Sequence, residues 1–242
     1  MKELHFGLYK FLPKSVIKLL DPIYYSFFKP IKFDREYQFW QKKYIEENKN
    51  FNNSHYEKLM LGIAQEKDQY FLKDKIIADF GCGPRGSLKW VNSAKIKIGI
   101  DVLVEKYTDN FTSNIISHDM VYVQSTENVI PIPSNYIDIL FTLNAMDHVD
   151  NFDIMSKEII RIIKPNGEFI ASFNLNEPVT ECEPLTLTED IIKKHLLNYF
   201  SIISYRVTNA LPNSNSYEQF FKGNLNYDKG EIATLWVRAI KK

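Results

Sequence analysis

The segment Lys75-Ile76-Ile77-Ala78-Asp79-Phe80 runs directly into Gly81-Cys82-Gly83-Pro84-Arg85-Gly86. A short apolar run that stops at a glycine cluster reads as a buried strand entering a tight turn. The chain has nine glycines, and three of them stand in these six residues. Glycine permits positive φ there and lets the backbone approach something bound.

The rest of the pattern says what kind of sheet this strand belongs to. From Asp34 to about Tyr70 the spacing is helical, carried by Tyr37, Trp40 and Tyr44 and then by Tyr56, Leu59 and Ile63. A helix is expected over Ser87–Asn92, and short apolar runs at Ile96–Ile100, Asn114–Ser117, Ile137–Thr142 and Glu168–Phe173 read as strands. Between the last two, Ile154, Met155, Ile159, Ile162 and Ile163 recur at helical spacing within Phe152–Lys164, and Pro165-Asn166-Gly167 supplies a stop. A further helix runs from about Thr188 to Asn198, followed by strands near Ile202–Thr208 and Glu231–Ala239. This alternation predicts an α/β fold with a mostly parallel sheet and helices on both faces.

Composition narrows the function. Thirty basic and thirty acidic residues leave no net charge, so the field that draws a chain onto nucleic acid is missing. Two cysteines, Cys82 and Cys182, are too few for a disulfide framework or a four-ligand zinc site, which fits a reducing, cytoplasmic compartment. No apolar run approaches the roughly 20 residues that span a bilayer. Charge is unevenly placed: residues 1–33 carry six lysines against two acidic residues, together with eight aromatics. We therefore divide the chain into a basic, aromatic helical arm over residues 1–70 and a main domain over residues 71–242. Two readings of the arm stand, a lid over the site and a peripheral contact with the inner face of an anionic membrane.

The glycine turn follows an expected strand and leads toward an expected helix, and Asp101 ends the second strand about 20 residues on. A carboxylate there accepts bonds from two ribose hydroxyls, which implies an adenosine-containing cofactor. Asp79, two residues before the first glycine, would repel a pyrophosphate and favour a cationic group. S-adenosylmethionine (SAM) carries an ammonium and a sulfonium, and no phosphate.

With these residues in place, Ala78-Asp79-Phe80-Gly81-Cys82-Gly83-Pro84 resembles the first motif of class I SAM-dependent methyltransferases. The stretch Glu127 to Leu140 and the stretch Asn144 to Phe173, including Glu158 to Gly167, resemble the family's later motifs, so the likeness covers about residues 70–175. It is closest to the type 11 methyltransferase domain of the ubiquinone-biosynthesis-like branch. Asn166 stands where a glycine is usual, and the segment before Ile130 is one residue longer than the common pattern.

The resemblance implies a seven-stranded Rossmann-like sheet and SAM as cofactor. It implies Asp79, Gly81 and Gly83 at the methionine end, with Phe80 and Cys82 in the same turn, and Asp101 on the ribose. Ser125, Thr126 and Glu127 fall near the adenine. Ser125 stands where this branch often has an aspartate, so backbone groups or Asp119 are the alternative adenine partners. Asn144 falls beside the sulfonium. The implied reaction is an in-line displacement at the methyl carbon that requires no metal.

For a hydroxyl acceptor His148 is the candidate general base, because imidazole holds a free nitrogen near neutral pH, and Asp147 is the candidate to orient or replace it. The bland reading of His148 is a cap or packing residue ahead of the helix near Asn151. The acidic stretch Asn174–Leu187 and the loop Asn209–Gly230 fall where loops after late strands border an acceptor pocket. The acceptor expected is a small molecule such as a sugar or glycan, with no nucleic acid. The rival readings are an NAD(P)-dependent oxidoreductase, which shares the glycine pattern and the acidic residue, and a non-catalytic scaffold of the same fold.

Overall fold

The computed structural model describes residues 32–211 and 214–242. Most of the basic arm, and with it the choice between lid and membrane contact for residues 1–31, lies outside the described residues.

Seven strands form one sheet: β1 Ile76–Phe80, β2 Ile96–Asp101, β3 Val121–Gln124, β4 Ile137–Leu143, β5 Ile163–Leu175, β6 Phe200–Asn209 and β7 Ala233–Lys241. Their order is β3-β2-β1-β4-β5-β7-β6, parallel from β3 to β5, with β7 antiparallel to both β5 and β6. The chain winds outward on either side of β1, so the strand order switches direction between β1 and β4. At that point Phe80 is in register with Ile100 of β2 and Thr142 of β4. Such a switch leaves a crevice beyond the carboxyl ends of the strands.

Alternation explains why β1 is buried on both sides. Ala78 and Phe80 point into one cluster with Ile98, Leu140, Phe152, Met155, Ile159 and Phe169, while Ile77 joins Leu59, Met60, Leu88, Ile139, Phe141 and Ile170 on the opposite face. Each such side chain stabilises the fold by about 1.5–3 kcal/mol through burial.

The helices are α1, described over 32–46, α2 His55–Ala64, α3 Val104–Asn110, α4 Thr112–Ile116, α5 Phe152–Ile162, α6 Glu189–His195 and α7 Ser216–Lys222. Asn151 starts α5, its side-chain oxygen accepting from the Ile154 N–H, and Thr188 does the same for α6 through Ile191. Tyr37, Trp40 and Tyr44 of α1 pack with Phe51 against Leu103, Tyr107, Phe111 and Ile115. This aromatic cluster holds α1 on the body of the fold, beside the strand tips.

Three local expectations are corrected. Ser87–Asn92 is a set of turns and not a helix: Lys89 and Val91 donate to Gly86 and Leu88, three residues back, and the Ser87 hydroxyl is bonded to Asp79. Asn114–Ser117 is not a strand; Asn114 to Ile116 lie in α4, and the third strand is the β-branched and aromatic run starting at Val121. Pro165-Asn166-Gly167 does not lie between helix and strand; α5 ends at Ile162 and β5 already begins at Ile163. The pairing with β4 slips across this segment, where Asn166 takes a left-handed φ of 61°. The helical spacing from Asp34 to Tyr70 does form helices, α1 and α2, separated by left-handed residues at Asn48 and Lys49 and followed by a 3-10 turn at Gln69–Leu72. No helix among the described residues is long and apolar enough to cross a membrane.

Candidate active site

A cavity of about 410 Å³ opens at the carboxyl ends of β1, β2 and β4, a size suited to a small-molecule site. One wall is made by the strand tips. Phe80, Gly81 and Cys82 follow β1, Asp101 ends β2, Ser125 follows β3, and Asn144 follows β4.

Gly81 and Gly83 both take left-handed backbone, φ 71° and 55°. A Cβ on Gly81 would overlap the Ala145 Cβ, and one on Gly83 would stand 2.7 Å from Cζ2 of Trp40. Both positions therefore require glycine, for conformation and for space. Three N–H groups of this turn, those of Gly81, Cys82 and Gly83, are spent inside the protein. Gly81 and Cys82 donate to the Ile100 carbonyl, at 2.8 and 3.3 Å, and Gly83 donates to Asp101 Oδ2 at 3.0 Å. With these three N–H groups committed and no helix starting after the turn, Gly81 to Gly83 do not form the N–H cradle that a pyrophosphate takes at a helix start. The dinucleotide reading loses its anchor.

Asp101 accepts a second N–H, from Leu103 to Oδ1 at 2.9 Å. Each carboxylate oxygen keeps further acceptor capacity on the cavity side. Burial raises its pKa, and the Leu103 and Gly83 N–H bonds pull it back. Asp79 lies behind the wall rather than in it. Its Oδ2 accepts from the Ser87 hydroxyl, while its buried Oδ1 has no partner among the described residues. Burial pushes this carboxyl up to about 7.

The adenine-side expectations divide. Ser125 is buried on the cavity wall and its hydroxyl has no partner among the described residues. Asp119 is not an alternative, because its side chain is 95% exposed and ion-paired with Lys97 at 3.2 Å, away from the cavity. Thr126 is exposed and off the wall, since its hydroxyl accepts from the Asn128 and Val129 N–H groups and closes a local turn. Glu127 does line the cavity, with Oε1 on Lys32 Nζ at 2.9 Å and Oε2 on the Asp150 N–H at 3.0 Å. Lys32 also reaches Asp150 at 3.1 Å, so this buried carboxylate ties α1 to the loop before α5.

Asn144 has φ 51°, and Ser172 fixes it twice: the Asn144 N–H donates to the Ser172 carbonyl at 3.1 Å, and the Ser172 hydroxyl donates to Oδ1 at 2.7 Å. The opposite wall contains groups that strand-tip motifs do not reveal. Lys32, Glu36, Phe39 and Trp40 come from α1, Cys182 and Glu183 from the loop after β5, and Tyr217 from α7 in the insertion between β6 and β7. Burial, with Asp101, Glu127 and Glu183 nearby and Lys32 opposing them, pushes Glu36 up to about 8.

His148 lines the cavity between the walls. Its Nε2 is 3.7 Å from Glu183 Oε1 and 3.9 Å from Asp147 Oδ1, and burial lowers its pKa, so the imidazole is neutral at neutral pH. Asp147 is only 4% exposed, with Oδ2 accepting from Asn174 Nδ2 at 3.1 Å, and the buried His148 Nδ1 has no partner among the described residues. Burial and then Glu183 push Asp147 up to about 7.

Residues 78–171 match the Methyltransf_11 family model, a methyltransferase domain. That stretch is a class I SAM-dependent methyltransferase domain of type 11. It is 26% identical over 107 residues to the ubiquinone/menaquinone biosynthesis C-methyltransferase UbiE of Vibrio parahaemolyticus, an alignment covering 44% of this chain and 37% of that enzyme. The match thus takes in little more than a third of the curated relative. Among solved structures, the Haloferax volcanii complex of the Trm112 activator with a methyltransferase gives a TM-score of 0.58 at 13% identity, covering 86% of this chain and 97% of that one. A SAM-dependent methyltransferase from Mesorhizobium loti gives 0.50 at 14% identity, covering 70% and 92%. These structures share the fold.

The residues present fit SAM, the cofactor of this domain. The turn offers no anion cradle, the unpartnered Asp79 Oδ1 lies behind it, and Asp101 and Ser125 keep acceptor and hydroxyl capacity toward the cavity.

Proposed function

We propose that this chain methylates a hydroxyl group of a small polar acceptor of the sugar or glycan type, within one methyltransferase domain over residues 71–242 that the preceding arm partly covers. The observation that carries the reading is the chemistry of the acceptor-side wall. A neutral imidazole lines the same cavity as the carboxylates of Glu36 and Glu183 and the rings of Phe39, Trp40 and Tyr217. Carboxylates accept from paired hydroxyls, and aromatic faces cover the apolar side of a sugar ring.

SAM, when bound, supplies an electrophilic methyl group and its own leaving group. In this reading Asp101 would accept from the ribose hydroxyls, Ser125 would meet the adenine, and Asp79 would balance the methionine ammonium through the glycine turn of Phe80, Gly81, Cys82 and Gly83. Glu127 contributes by fixing α1 through Lys32, and Asn144 would border the reacting methyl group. His148 Nε2 receives the acceptor's proton, and Asp147, whose Oδ1 is 3.9 Å from that same nitrogen, would stabilise the imidazolium that forms. The walls exclude water and align the partners, which is where most of the rate of a displacement of this kind originates.

The reading is tested by a screen of hydroxylated acceptors with methyl-labelled SAM. Label on a sugar or glycan hydroxyl, lost in His148→Ala, is expected; label only on RNA would overturn it. A peripheral membrane contact by the basic, aromatic residues before α1 belongs to the same reading, motivated by their five lysines and their phenylalanines. Co-sedimentation with anionic but not neutral vesicles is the expected result, and equal recovery with both would remove it.

A further inference from the structure

Asp147, His148 and Glu183 bring one ligand atom each to within 4.8 Å of one another. The cluster is not merely an exposed group of acids. Asp147 Oδ1 is buried in a side chain 4% exposed and has no hydrogen-bond partner among the described residues, although it faces His148 Nε2 at 3.9 Å. A carboxylate oxygen desolvated and left unpaired is costly unless something positive meets it.

We propose that Asp147 Oδ1, His148 Nε2 and Glu183 Oε1 form a divalent-cation site on the acceptor side of the cavity, where the cation chelates adjacent oxygens of the acceptor. This rests on the methyl-transfer reading and gives it a substrate class, an acceptor with two neighbouring oxygens. One imidazole and two carboxylates suit a cation such as Mn²⁺ or Zn²⁺, which accept nitrogen and oxygen donors together.

Donors held about 2.0–2.2 Å from one cation stand roughly 3.0–3.5 Å apart, so the 3.7 and 3.9 Å separations from His148 Nε2 need to close by a few tenths of an ångström, and the two carboxylates, which lie within 4.8 Å of each other, by up to about an ångström or somewhat more. Glu183 is the element that can move, because it sits on the loop after β5, where its Oε2 is held only by the Thr180 hydroxyl at 3.1 Å. Asp147 is the fixed member, oriented by Asn174 from the second layer, as metal-ligating carboxylates are. Three protein donors leave coordination positions open, and His148 and Glu183 both face the cavity. With the cation in place the Nε2 lone pair is committed to it, and the base role of His148 belongs to the cation-free protein.

The experiment is a titration of the chelator-treated full chain with Mn²⁺, following loss of the free-ion signal by electron paramagnetic resonance, with S-adenosylhomocysteine binding measured by calorimetry on the same sample. One bound Mn²⁺ per chain is expected. Glu183→Gln should abolish it with S-adenosylhomocysteine binding unchanged, and Asn174→Ala should weaken it by about 10–100-fold. No uptake of Mn²⁺ by protein that binds S-adenosylhomocysteine overturns the cation site and leaves the methyl-transfer reading standing. Uptake indifferent to Glu183→Gln and Asp147→Asn overturns it as well. Failure of S-adenosylhomocysteine to bind would instead count against the methyl-transfer reading.

Discussion

The two walls of the cavity are built in opposite ways. The strand-tip wall comes from residues that directly follow β1, β2, β3 and β4, within one continuous stretch of the chain, and each is fixed by backbone bonds such as those from Gly83 and Leu103 to Asp101. The acceptor-side wall comes from α1, the loop after β5 and α7, brought together from across the chain and tied by side chains such as Lys32 on Glu127. The first wall is pinned by sheet register, and the second depends on how loops pack. A domain that keeps one cofactor and changes its acceptors is expected to keep the first arrangement and vary the second.

The contrast can be broken by substitutions that should act on one side only. The largest expected effect is on His148: His148→Ala should lower kcat by about 10²–10⁴-fold while the affinity for S-adenosylhomocysteine stays within a few-fold. Full activity would return His148 to a packing role. Next is Asp101→Ala, which leaves two ribose hydroxyls and two backbone N–H groups without their acceptor. It should cost about 1–3 kcal/mol in cofactor binding, measured by calorimetry, with the acceptor KM little changed. An unaltered cofactor affinity would remove Asp101 from the site.

How much of this was legible follows the same division. The glycine turn, Asp101 and Asn144 stand at the ends of periodic runs, so their meeting at the switch point follows from alternation and from the order of the strands. At Ser87–Asn92, Leu88 and Val91 have helical spacing, yet Ser87 is drawn to Asp79 and three-residue bonds form in place of a helix. The commitment of the Gly81, Cys82 and Gly83 N–H groups was invisible, since it depends on the close pairing of β1 with β2. Trp40 showed helical spacing without showing that it covers Gly83. Glu36, Glu183 and Tyr217 carried no signal beyond the position of their segments, because packing between elements distant in sequence brings them to the cavity.

A smaller effect sharpens the cofactor side. Asp79 has a folded pKa raised to about 7 from an ordinary 3.8, so between those values the folded state holds a proton that the unfolded chain has released. Stability from this group is therefore greatest below pH 3.8 and is lost as pH rises toward 7. Its contribution falls by up to about 1.4 kcal/mol per pH unit in that window. Urea titrations of Asp79→Asn across the same range should show a shallower decline than the parent chain, and an identical slope would contradict the buried, unpartnered carboxyl. The smallest effect is expected at Thr126→Ala, which removes only a turn contact; cofactor affinity should change less than threefold, and a larger loss would put the hydroxyl in the adenine site.

The most direct measurement is a calorimetric titration of the chain with S-adenosylhomocysteine and, separately, with NADH. A turn whose N–H groups are already committed, backed by Asp79, should bind the sulfur compound and ignore the dinucleotide. Binding of NADH without S-adenosylhomocysteine would contradict that design of the strand-tip wall and the methyl transfer built on it.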